Sequence, residues 1–306
     1  MTRDRSPLVG LITIWYRTGA GMDRFVSNLR ALRYPHLQPV FVIHSLAAPE
    51  VERLRALVPE AVLVEPQGNL GPAAGWNLGI RHLLEAGAHY VGIWNVDVRL
   101  DPGCLQSLVA VLDADPTVGA CQPLLFYSDE PHTVQMYGGS LDPRTGATAH
   151  DYRGATDLAA LPPLRNAGYL DGGTMLMRSA ALRRVGGFDE RLFMYAEDCD
   201  LCLRLQAAGY RTVAVRDAHA WHYHREEWGA LPRPHQLFYE TRNRLYLVRK
   251  HAGGGAALSV AARSVVGLPR RAVYFLRRGR PRLAWASLAG LAGGLAQAMG
   301  KRGWVE

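Results

Sequence analysis

Three carboxylates stand close together at Glu197, Asp198 and Asp200, immediately before a run with helical periodicity. Acids at a helix N-terminus are favoured by the helix dipole, so capping is one interpretation of this cluster. Crowded carboxylates also repel one another, which raises the proton affinity of at least one and makes it a suitable general base. We therefore take Asp198 and Glu197 as candidate catalytic residues, and the two roles can coexist.

A further carboxylate, Asp97, follows an apolar run, and three histidines, His219, His222 and His224, follow a later one. Hard oxygen or imidazole ligands can hold a divalent cation, magnesium or manganese, which neutralises a departing diphosphate. Each residue also has a common alternative role, a turn or helix cap for the Asp and a hydrogen bond for a His. Alternation along an extended chain separates His219 from the other two, so we expect one histidine ligand rather than three.

Glycine and asparagine recur between residues 69 and 79, at Asn69, Gly71 and Asn77 among others. Backbone amides in such a segment can approach a phosphate, although the segment lacks the Gly-Lys-Ser/Thr of a P-loop. A loop-to-helix junction packed by small residues explains the pattern equally well. Both interpretations apply to Asn77.

Short β-rich runs alternate with helical patterns through the first half of the chain. The apolar runs are 8–14, 39–44, 61–64 and 90–95, and helical faces occur in 22–32 and 51–57. This alternation predicts parallel strands joined by crossover helices. Ligands bind at the carboxyl ends of such strands, and Asn95 and Asp97 stand where the last of these runs ends.

The second half begins with residues 126–169, which are rich in Gly, Pro, Thr and Asp and show no regular pattern. A segment of this length is too long for a simple connection, so we expect it to cover the substrate. Regular patterns then predict a strand at 174–178, a helix at 198–208 that ends at Gly209, and a final strand at 211–215.

The bulk composition is that of a folded protein with a core of its own. Of 306 residues, 48% are hydrophobic and 20% are charged. The four cysteines lack the paired spacing of a zinc ribbon, so we expect reduced, buried thiols and a cytoplasmic location. Residues 1–7 are polar, and the run 8–14 is too short for a signal sequence or a membrane span.

The net charge of +8 is distributed unevenly along the chain. Thirteen Lys and Arg residues and a single acid, Glu306, lie beyond residue 240, which leaves the preceding part mildly acidic. A basic groove for nucleic acid is therefore not expected there.

Arginines flank apolar stretches in residues 251–306, and 283–300 is uncharged but marginal for a spanning helix. We expect a basic amphipathic helical tail that lies on the anionic cytoplasmic face of the membrane, as a peripheral attachment. The alternative is a helical cap packed on the preceding domain with a solvated basic face.

Taken in order, these segments resemble glycosyltransferase family 2, in its rhamnosyltransferase-like branch. The resemblance covers roughly residues 8–250 and rests on NLG and GWNLG within 69–79, NVDV at 95–98, DGGT and GGFDE within 171–190, and FMYAEDCDLCLR at 193–204. The last two segments are the most specific. The resemblance implies an α/β fold of the GT-A type, with a mostly parallel nucleotide-binding sheet flanked by helices and followed by the basic tail.

The activity implied is a metal-dependent inverting transfer of one sugar from a nucleoside-diphosphate sugar to a hydroxyl acceptor, which can be lipid-linked. Such transfers build polysaccharides, glycolipids or glycosylated metabolites. Asp97 and His222 would hold the cation and Asp198 would act as the base. The domain would span 1–250, with a nucleotide-sugar half at 1–125 and an acceptor and base half at 126–250.

The resemblance also implies two sets of binding residues. The donor-binding set is Thr13, Tyr16, Arg17, His44, Asn69, Gly71, Asn77, Asn95 and Asp97, and the acceptor-side set is Asp171, Gly172, Gly173 and Tyr195.

Some positions depart from the family pattern. His44 stands in Ile-His-Ser where relatives have Val-Asp-Asn, and Arg17 stands near a common Asn. The Gln-x-x-Arg-Trp signature of processive synthases is absent, as in the branch that adds one sugar per encounter. Arg242 and Asn243 match a terminal family element without an assigned chemistry.

Two other classes of function compete with this interpretation. A nucleotidyltransferase would carry a Gly-rich loop with Lys or Arg after the first strand. Residues 18–22 contain two glycines but no Lys or Arg. A non-catalytic binder of sugar nucleotides or anionic polymers would accommodate the departures at Arg17 and His44. Hydrolysis of nucleotide-sugars separates these classes from a transferase.

Overall fold

A mixed β-sheet forms the centre of the protein in a computed structural model that describes residues 6–223 and 231–303. His224 lies outside the described residues. The strands are β1 (Val9–Tyr16), β2 (Leu37–His44), β3 (Val62–Val64), β4 (Tyr90–Trp94), β5 (Val98–Leu100), β6 (Val118–Tyr127), β7 (Val134–Met136), β8 (Gly139–Asp142), β9 (Ala147–His150), β10 (Leu164–Asn166), β11 (Thr174–Arg178) and β12 (Arg211–His222). The helices are α1 (Met22–Ala31), α2 (Ala48–Leu57), α3 (Gly71–Glu85), α4 (Cys104–Ala114), α5 (Ser179–Val185), α6 (Glu197–Ala207), α7 (Pro234–Arg277) and α8 (Pro281–Leu295).

The strand order in the sheet is β10-β12-β6-β11-β4-β1-β2-β3, with β5 beside β12 and β7 beside β6. Strands β1 to β4 pair in parallel, which confirms the predicted crossover connections. Strand β11 is antiparallel to β4, with Thr174 opposite Trp94. The residues before β11 therefore lie beside the carboxyl end of β4, where the polar residues after Trp94 begin.

Alternate residues of the central strands point into two separate cores. On β1, Leu11 and Trp15 pack with α1, α2 and α4, whereas Ile12 packs with α3, α5 and α6. Because helices cover both faces, the strands are apolar at nearly every position instead of alternating with polar residues. The four cysteines are buried and free, as the sequence predicted.

The glycines between 69 and 79 lie on a helix that packs closely on the sheet. A Cβ atom added at Gly75 would lie 2.7 Å from Ile14 Cδ1, and one added at Gly79 would lie 2.6 Å from Ile12 Cγ2. Larger side chains would push α3 away from β1. For these two positions the packing interpretation is therefore the correct one.

Two predictions about the second half were wrong in extent. The segment 126–169 is not irregular, because it contains β7, β8, β9 and β10. These strands are only three or four residues long, too short to show a period in the sequence. The final strand does not end at 215 but continues to His222, with a register shift against β6 between Val215 and His219 that breaks the alternation.

The C-terminal helices fold back on themselves. Gly253 has non-helical dihedrals (φ 85°, ψ 171°) and divides α7 into segments 234–252 and 254–277. Val260 packs with Val248, and Phe275 packs with Phe238, so the two segments run antiparallel. The proposed boundary at residue 250 thus falls just before this break. In the described part of the chain, no helix is long and apolar enough to cross a membrane.

Candidate active site

The carboxylate of Asp198 is held between the start of α6 and the turn that precedes β11. Its Oδ1 accepts a hydrogen bond from the Cys199 amide at 2.7 Å, and its Oδ2 accepts one from the Gly172 amide at 3.2 Å. Helix α6 follows two residues with left-handed backbone, Tyr195 (φ 66°) and Ala196 (φ 67°). Both are non-glycine residues, so the surrounding contacts must hold this conformation.

Burial raises the pKa of Asp198 above its ordinary value, and the charge of Asp171 raises it further. Burial also raises the pKa of Glu197, with a contribution from Asp198. Asp198 and Asp171 line an open cleft, whereas Glu197 is not among the residues that line it. A buried Glu197 that stays protonated leaves Asp198 as the carboxylate that can reach an acceptor.

Two buried residues of α7 fix the backbone that leads into Asp198. Asn243 directs its Nδ2 at the carbonyl oxygens of Leu192, Met194 and Tyr195, at 3.0, 2.8 and 2.8 Å. Arg242 donates to the Leu192 carbonyl at 2.9 Å and to Asn243 Oδ1 at 2.8 Å. The sequence assigned no chemistry to this pair. The structure shows that the pair holds the left-handed segment before α6.

The third acid of the cluster, Asp200, has a structural role. Its fully buried carboxylate contacts Arg204 Nε at 2.7 Å, Lys250 Nζ at 2.6 Å and His251 Nε2 at 2.8 Å. Burial opposes its ionisation, but the hydrogen bond from His251 and the charges of Arg204 and Lys250 outweigh burial and lower its pKa. Asp200 therefore ties α6 to α7. The cluster contains both a base candidate and a structural acid, on different residues.

Asp97 and His222 meet because β5 and β12 are paired, with Val98 opposite His222. His222 Nε2 lies 3.3 Å from Asp97 Oδ2. Two ligands in adjacent octahedral positions around a cation such as Mg²⁺ are separated by about 3 Å, so the pair fits a divalent cation. Within the described residues, no group of three or more His, Cys, Asp or Glu side chains is arranged to hold a metal.

Gln135 lies behind this pair, with its Nε2 3.1 Å from His222 Nδ1 and its Oε1 buried without a hydrogen-bond partner among the described residues. Rotation of the amide by half a turn would let Oε1 accept a hydrogen bond from a protonated Nδ1. In that tautomer, the lone pair of His222 Nε2 would face Asp97 and a cation bound by both residues. His219 instead packs edge-on against Phe126 at 5.4 Å, away from any ligand role.

The turn 171–173 joins the two groups of functional side chains. The backbone N–H of Asn95 donates to the Gly173 carbonyl at 2.9 Å, and the backbone N–H of Gly172 donates to the Asp198 carboxylate. A Cβ atom at Gly173 would lie 2.9 Å from Asn95 Nδ2, so a side chain there would displace the asparagine. The residues after β4 and the base candidate therefore border the same short turn.

Of the expected donor-binding residues of β1 and β2, Tyr16 and His44 lie at the carboxyl ends of their strands, whereas Thr13 lies three residues before the end of β1. Thr13 and His44 are buried, and Thr13 Oγ1 and His44 Nε2 lack partners within the described chain. Burial, with a contribution from Lys301, lowers the pKa of His44 to about 4, which keeps its imidazole neutral at pH 7. The Arg17 amide donates to the His44 carbonyl at 3.2 Å, and its guanidinium lies 4.9 Å from the ring centre of Tyr16.

The residues of α3 and its preceding turn are engaged within the protein. Asn77 binds Phe188 through both its Nδ2 and its Oδ1, at 2.9 and 2.8 Å, and so supports the 186–190 motif. Asn69 Oδ1 accepts from the Gly71 amide at 2.8 Å. Gly71 has a φ of 81°, and a Cβ atom there would lie 2.5 Å from Phe193 Cδ2. For Asn77 the structure supports packing rather than a nucleotide contact.

The cleft beside Asp198 has a volume of about 620 Å³, and its lining includes Asp171 and Tyr195, two of the expected acceptor-side residues. Its other walls, which the sequence did not predict, include Glu240 and Arg244 of α7 and Arg271 after the break in that helix. The spacing of Glu240 and Arg244 places them on one face of a helix. The break at Gly253, which brings Arg271 to the same cleft, left no periodic signal.

Comparison with known proteins identifies related sequences. Residues 95–296 match the sequence model of glycosyl transferase family group 2. The N-acetylglucosaminyl-diphospho-decaprenol L-rhamnosyltransferase of Mycobacterium tuberculosis (strain CDC 1551 / Oshkosh) is 28% identical over 264 residues, which cover 79% of this chain and 85% of that protein.

Two solved structures have a similar fold. The mannosyltransferase PcManGT from Pyrobaculum calidifontis, in complex with GDP-Man and Mn²⁺, gives a TM-score of 0.55 at 20% identity, over 96% of this chain and 88% of that one. GalNAc-T7 with UDP, GalNAc and Mn²⁺ gives a TM-score of 0.60 at 13% identity over 81% of this chain. The matched part is 48% of GalNAc-T7, so this chain spans about half of its length.

Proposed function

This chain belongs to glycosyl transferase family group 2 and is a glycosyltransferase of GT-A fold, and on that premise we propose that it performs a metal-dependent, inverting transfer. One sugar passes from a nucleoside-diphosphate sugar to a hydroxyl acceptor. The main support is that Asn95, two residues before Asp97 of the Asp97–His222 pair, and Asp198 each form a hydrogen bond with the turn 171–173. A cation site and a base can therefore flank one sugar ring.

In the proposed mechanism Asp97 and His222 hold a divalent cation, magnesium or manganese. When bound, the cation neutralises the charge of the departing nucleoside diphosphate. Asp198 takes the proton from the acceptor hydroxyl as that oxygen attacks the anomeric carbon, and a single displacement inverts that carbon. The Gly172 and Cys199 amides orient the Asp198 carboxylate, and Asp171 and Tyr195 border the acceptor.

The two halves of the domain divide this work. Residues 1–125 bind the donor, through Thr13, Tyr16, Arg17, His44 and Asn95 at the carboxyl ends of the strands. Residues 126–250 carry the base and the acceptor cleft. His222 belongs to the second half but reaches the cation site of the first, because β12 pairs with β5.

A panel of nucleotide-sugars tests this function with sugar release and transfer as the measured products. We expect turnover of at least one donor that stops in EDTA and returns with Mn²⁺ or Mg²⁺. Asp97→Asn should reduce the rate by about 100-fold or more, because the cation loses its carboxylate ligand. Asp217→Asn removes an exposed acid from the middle of β12, five residues before His222, and should leave the rate unchanged. Full turnover in EDTA would contradict the metal-dependent mechanism.

The relative from M. tuberculosis is named for an acceptor that carries a prenyl chain through a diphosphate. We propose a lipid-linked acceptor here as well, reached from the cytoplasmic face of the membrane. The segment 254–277 and α8 expose large apolar side chains, with Val266 82%, Leu258 68% and Trp285 59% exposed. Exposed arginines outside the cleft accompany them, at Arg270, Arg277, Arg278, Arg280 and Arg282.

This combination suits a peripheral attachment to anionic lipid. Apolar side chains enter the boundary of the acyl region, and each nearby Arg contributes about 1 kcal/mol of attraction. The remaining side of the same helices packs on the catalytic domain through Phe275 and Leu283. The helical cap and the membrane surface are thus two sides of one structure.

Vesicle flotation tests the attachment. We expect binding to phosphatidylglycerol vesicles that weakens as salt rises, because the attraction is screened. Leu258→Asp combined with Val266→Asp should abolish binding, since charged side chains would replace the inserted apolar ones. Leu164→Asp places the same change on β10, at a residue that is 43% exposed, and should bind normally. Equal flotation of both variants would contradict the attachment.

A further inference from the structure

Three arginines gather beside the acceptor cleft: Arg244 on the first segment of α7, and Arg263 and Arg271 on the second. Arg244 and Arg271 line the cleft together with Asp198. Arg244 is held in place by its Nε, which donates to the Thr145 carbonyl at 2.6 Å in the turn between β8 and β9. The antiparallel return of α7 after Gly253 brings the other two arginines to it.

Arg244 and Arg271 line one cleft, and Arg263 adds positive charge near Arg244. Burial lowers the pKa of Arg244, and the charges of Arg263 and Arg271 lower it further. Among residues 6–223 and 231–303, none of the three forms an ion pair with a carboxylate. Asp142 exerts a weaker attraction on Arg244, and its carboxylate is bound by Thr145 and the Arg144 amide.

Three acids line the same cleft, Asp171, Asp198 and Glu240. Glu240 lies one helical turn before Arg244 and accepts a hydrogen bond from Gln236 at 2.9 Å. Clustered guanidiniums without carboxylate partners are suited to a group of two or more negative charges, which they can bind through several N–H donors at once.

The position of the cluster decides which anion it serves. None of Thr13, His44, Asn95 and Asp97 lines the cleft, so the donor diphosphate lies elsewhere. Asp198, the base, does line it, and a base must lie beside the acceptor hydroxyl. The exposed apolar residues Val265 and Val266 lie two and three residues after Arg263 on the same helix.

We propose that Arg244, Arg263 and Arg271 bind the diphosphate of a lipid-linked acceptor and so place the acceptor sugar at Asp198. This assignment rests on the proposed function for the identity of the acceptor. The two observations that carry it are the shared cleft and the three guanidiniums without carboxylate partners. The prenyl chain would leave the cleft along the exposed apolar side of the segment 254–277.

Binding of farnesyl diphosphate to the full chain, measured by calorimetry in EDTA, tests the proposal without any donor. EDTA removes a cation at Asp97, so the donor site cannot hold the probe through a metal. We expect saturable binding that farnesol does not reproduce and that excess nucleoside diphosphate does not displace. Arg271→Gln and Arg244→Gln should each weaken it by about ten-fold or more, the loss expected when a charged hydrogen-bond donor is removed.

Arg277→Gln with Arg282→Gln is the matched control, because it removes exposed positive charge from the same helical region outside the cleft. It should bind farnesyl diphosphate normally and float less well with phosphatidylglycerol vesicles. The cleft variants should show the reverse pattern. Arg271→Gln breaks no hydrogen bond within the described chain, so its thermal unfolding should match that of the parent protein.

Equal binding of farnesyl diphosphate by the cleft variants and the control would overturn the proposal. So would cleft variants that lose only vesicle flotation, since the arginines would then bind lipid headgroups. Failure of the proposed function has a different signature, which is the absence of turnover with every nucleotide-sugar while farnesyl diphosphate binding keeps the pattern described above.

Discussion

Replacement of Asp198 by Asn is expected to reduce sugar transfer by about 10²- to 10⁴-fold, the usual contribution of a general base. The amide cannot take the acceptor proton, yet it has nearly the size of the carboxylate and can keep one of the two hydrogen bonds from Cys199 and Gly172. Donor binding and the unfolding temperature should therefore change little. Initial rates at saturating donor, together with thermal unfolding, measure the two effects separately.

The pH dependence of the same reaction provides a second check on Asp198. Because burial and Asp171 raise its pKa, the base is lost by protonation at a higher pH than an ordinary Asp. The value of kcat/KM should fall as pH decreases, with an apparent pKa above the usual value of about 3.9. Glu197→Gln replaces a buried carboxyl whose pKa burial raises and which does not line the cleft, so it should lower the rate much less. A Glu197→Gln variant as inactive as Asp198→Asn would transfer the role of base to the pair.

Replacement of Asp200 by Asn is expected to destabilise the fold by about 3–5 kcal/mol, the cost of removing one partner from a buried ion pair. The neutral amide would leave Arg204, Lys250 and His251 around a site without negative charge. Chemical denaturation of the two proteins at pH 7 measures the difference in unfolding free energy. A loss below about 1 kcal/mol, as for exposed ion pairs, would show that the contacts contribute little.

The sign of the pH effect follows from the lowered pKa of Asp200. The folded state binds a proton at Asp200 less readily than the unfolded chain does. This carboxylate therefore contributes stability above its unfolded pKa of about 3.9, and the contribution is lost as pH falls through the folded value. The parent protein should lose stability in that acidic range, and Asp200→Asn should lack this component.

Asp198→Asn and Asp200→Asn also serve as controls for each other. The two acids are separated by one residue in the same helix, and both substitutions remove one charge. The first should lower activity without lowering stability, and the second should lower stability. Rates for the second variant must be measured at a temperature where it remains folded. If both variants lost only stability, the whole cluster would be structural, as the capping interpretation holds.

Local sequence patterns were sufficient to predict most of the sheet and the polar residues at its edge. The apolar runs that became β1, β2, β4 and β11 are long enough to show strand character, and the order of β1, β2 and β4 with the intervening helices specified their parallel pairing. Asn95 and Asp97 followed as candidates, because polar residues at the carboxyl end of a buried strand are recognisable from position alone. The short strands β7 to β10 could not be predicted from the sequence, since three or four residues cannot establish a period.

Long-range contacts decided the roles that remained open. Glu197, Asp198 and Asp200 are equivalent acids in the sequence, and only the folded chain places one in a cleft, one outside its lining and one against Arg204, Lys250 and His251. Arg242 and Asn243 gained a role from the carbonyl groups of the segment 192–195, which is far away in the chain.

Sequence alone thus determined the class of fold, the family and the order of the polar motifs, because these depend on local propensity and hydrophobic pattern. Tertiary structure decided which acid of the cluster lines the cleft, which histidine meets Asp97 and which arginines reach the same cleft. These choices depend on burial and on charge–charge distances between residues far apart in the chain. This burial and these distances are set only when strands β5 and β12 pair and α7 folds back at Gly253.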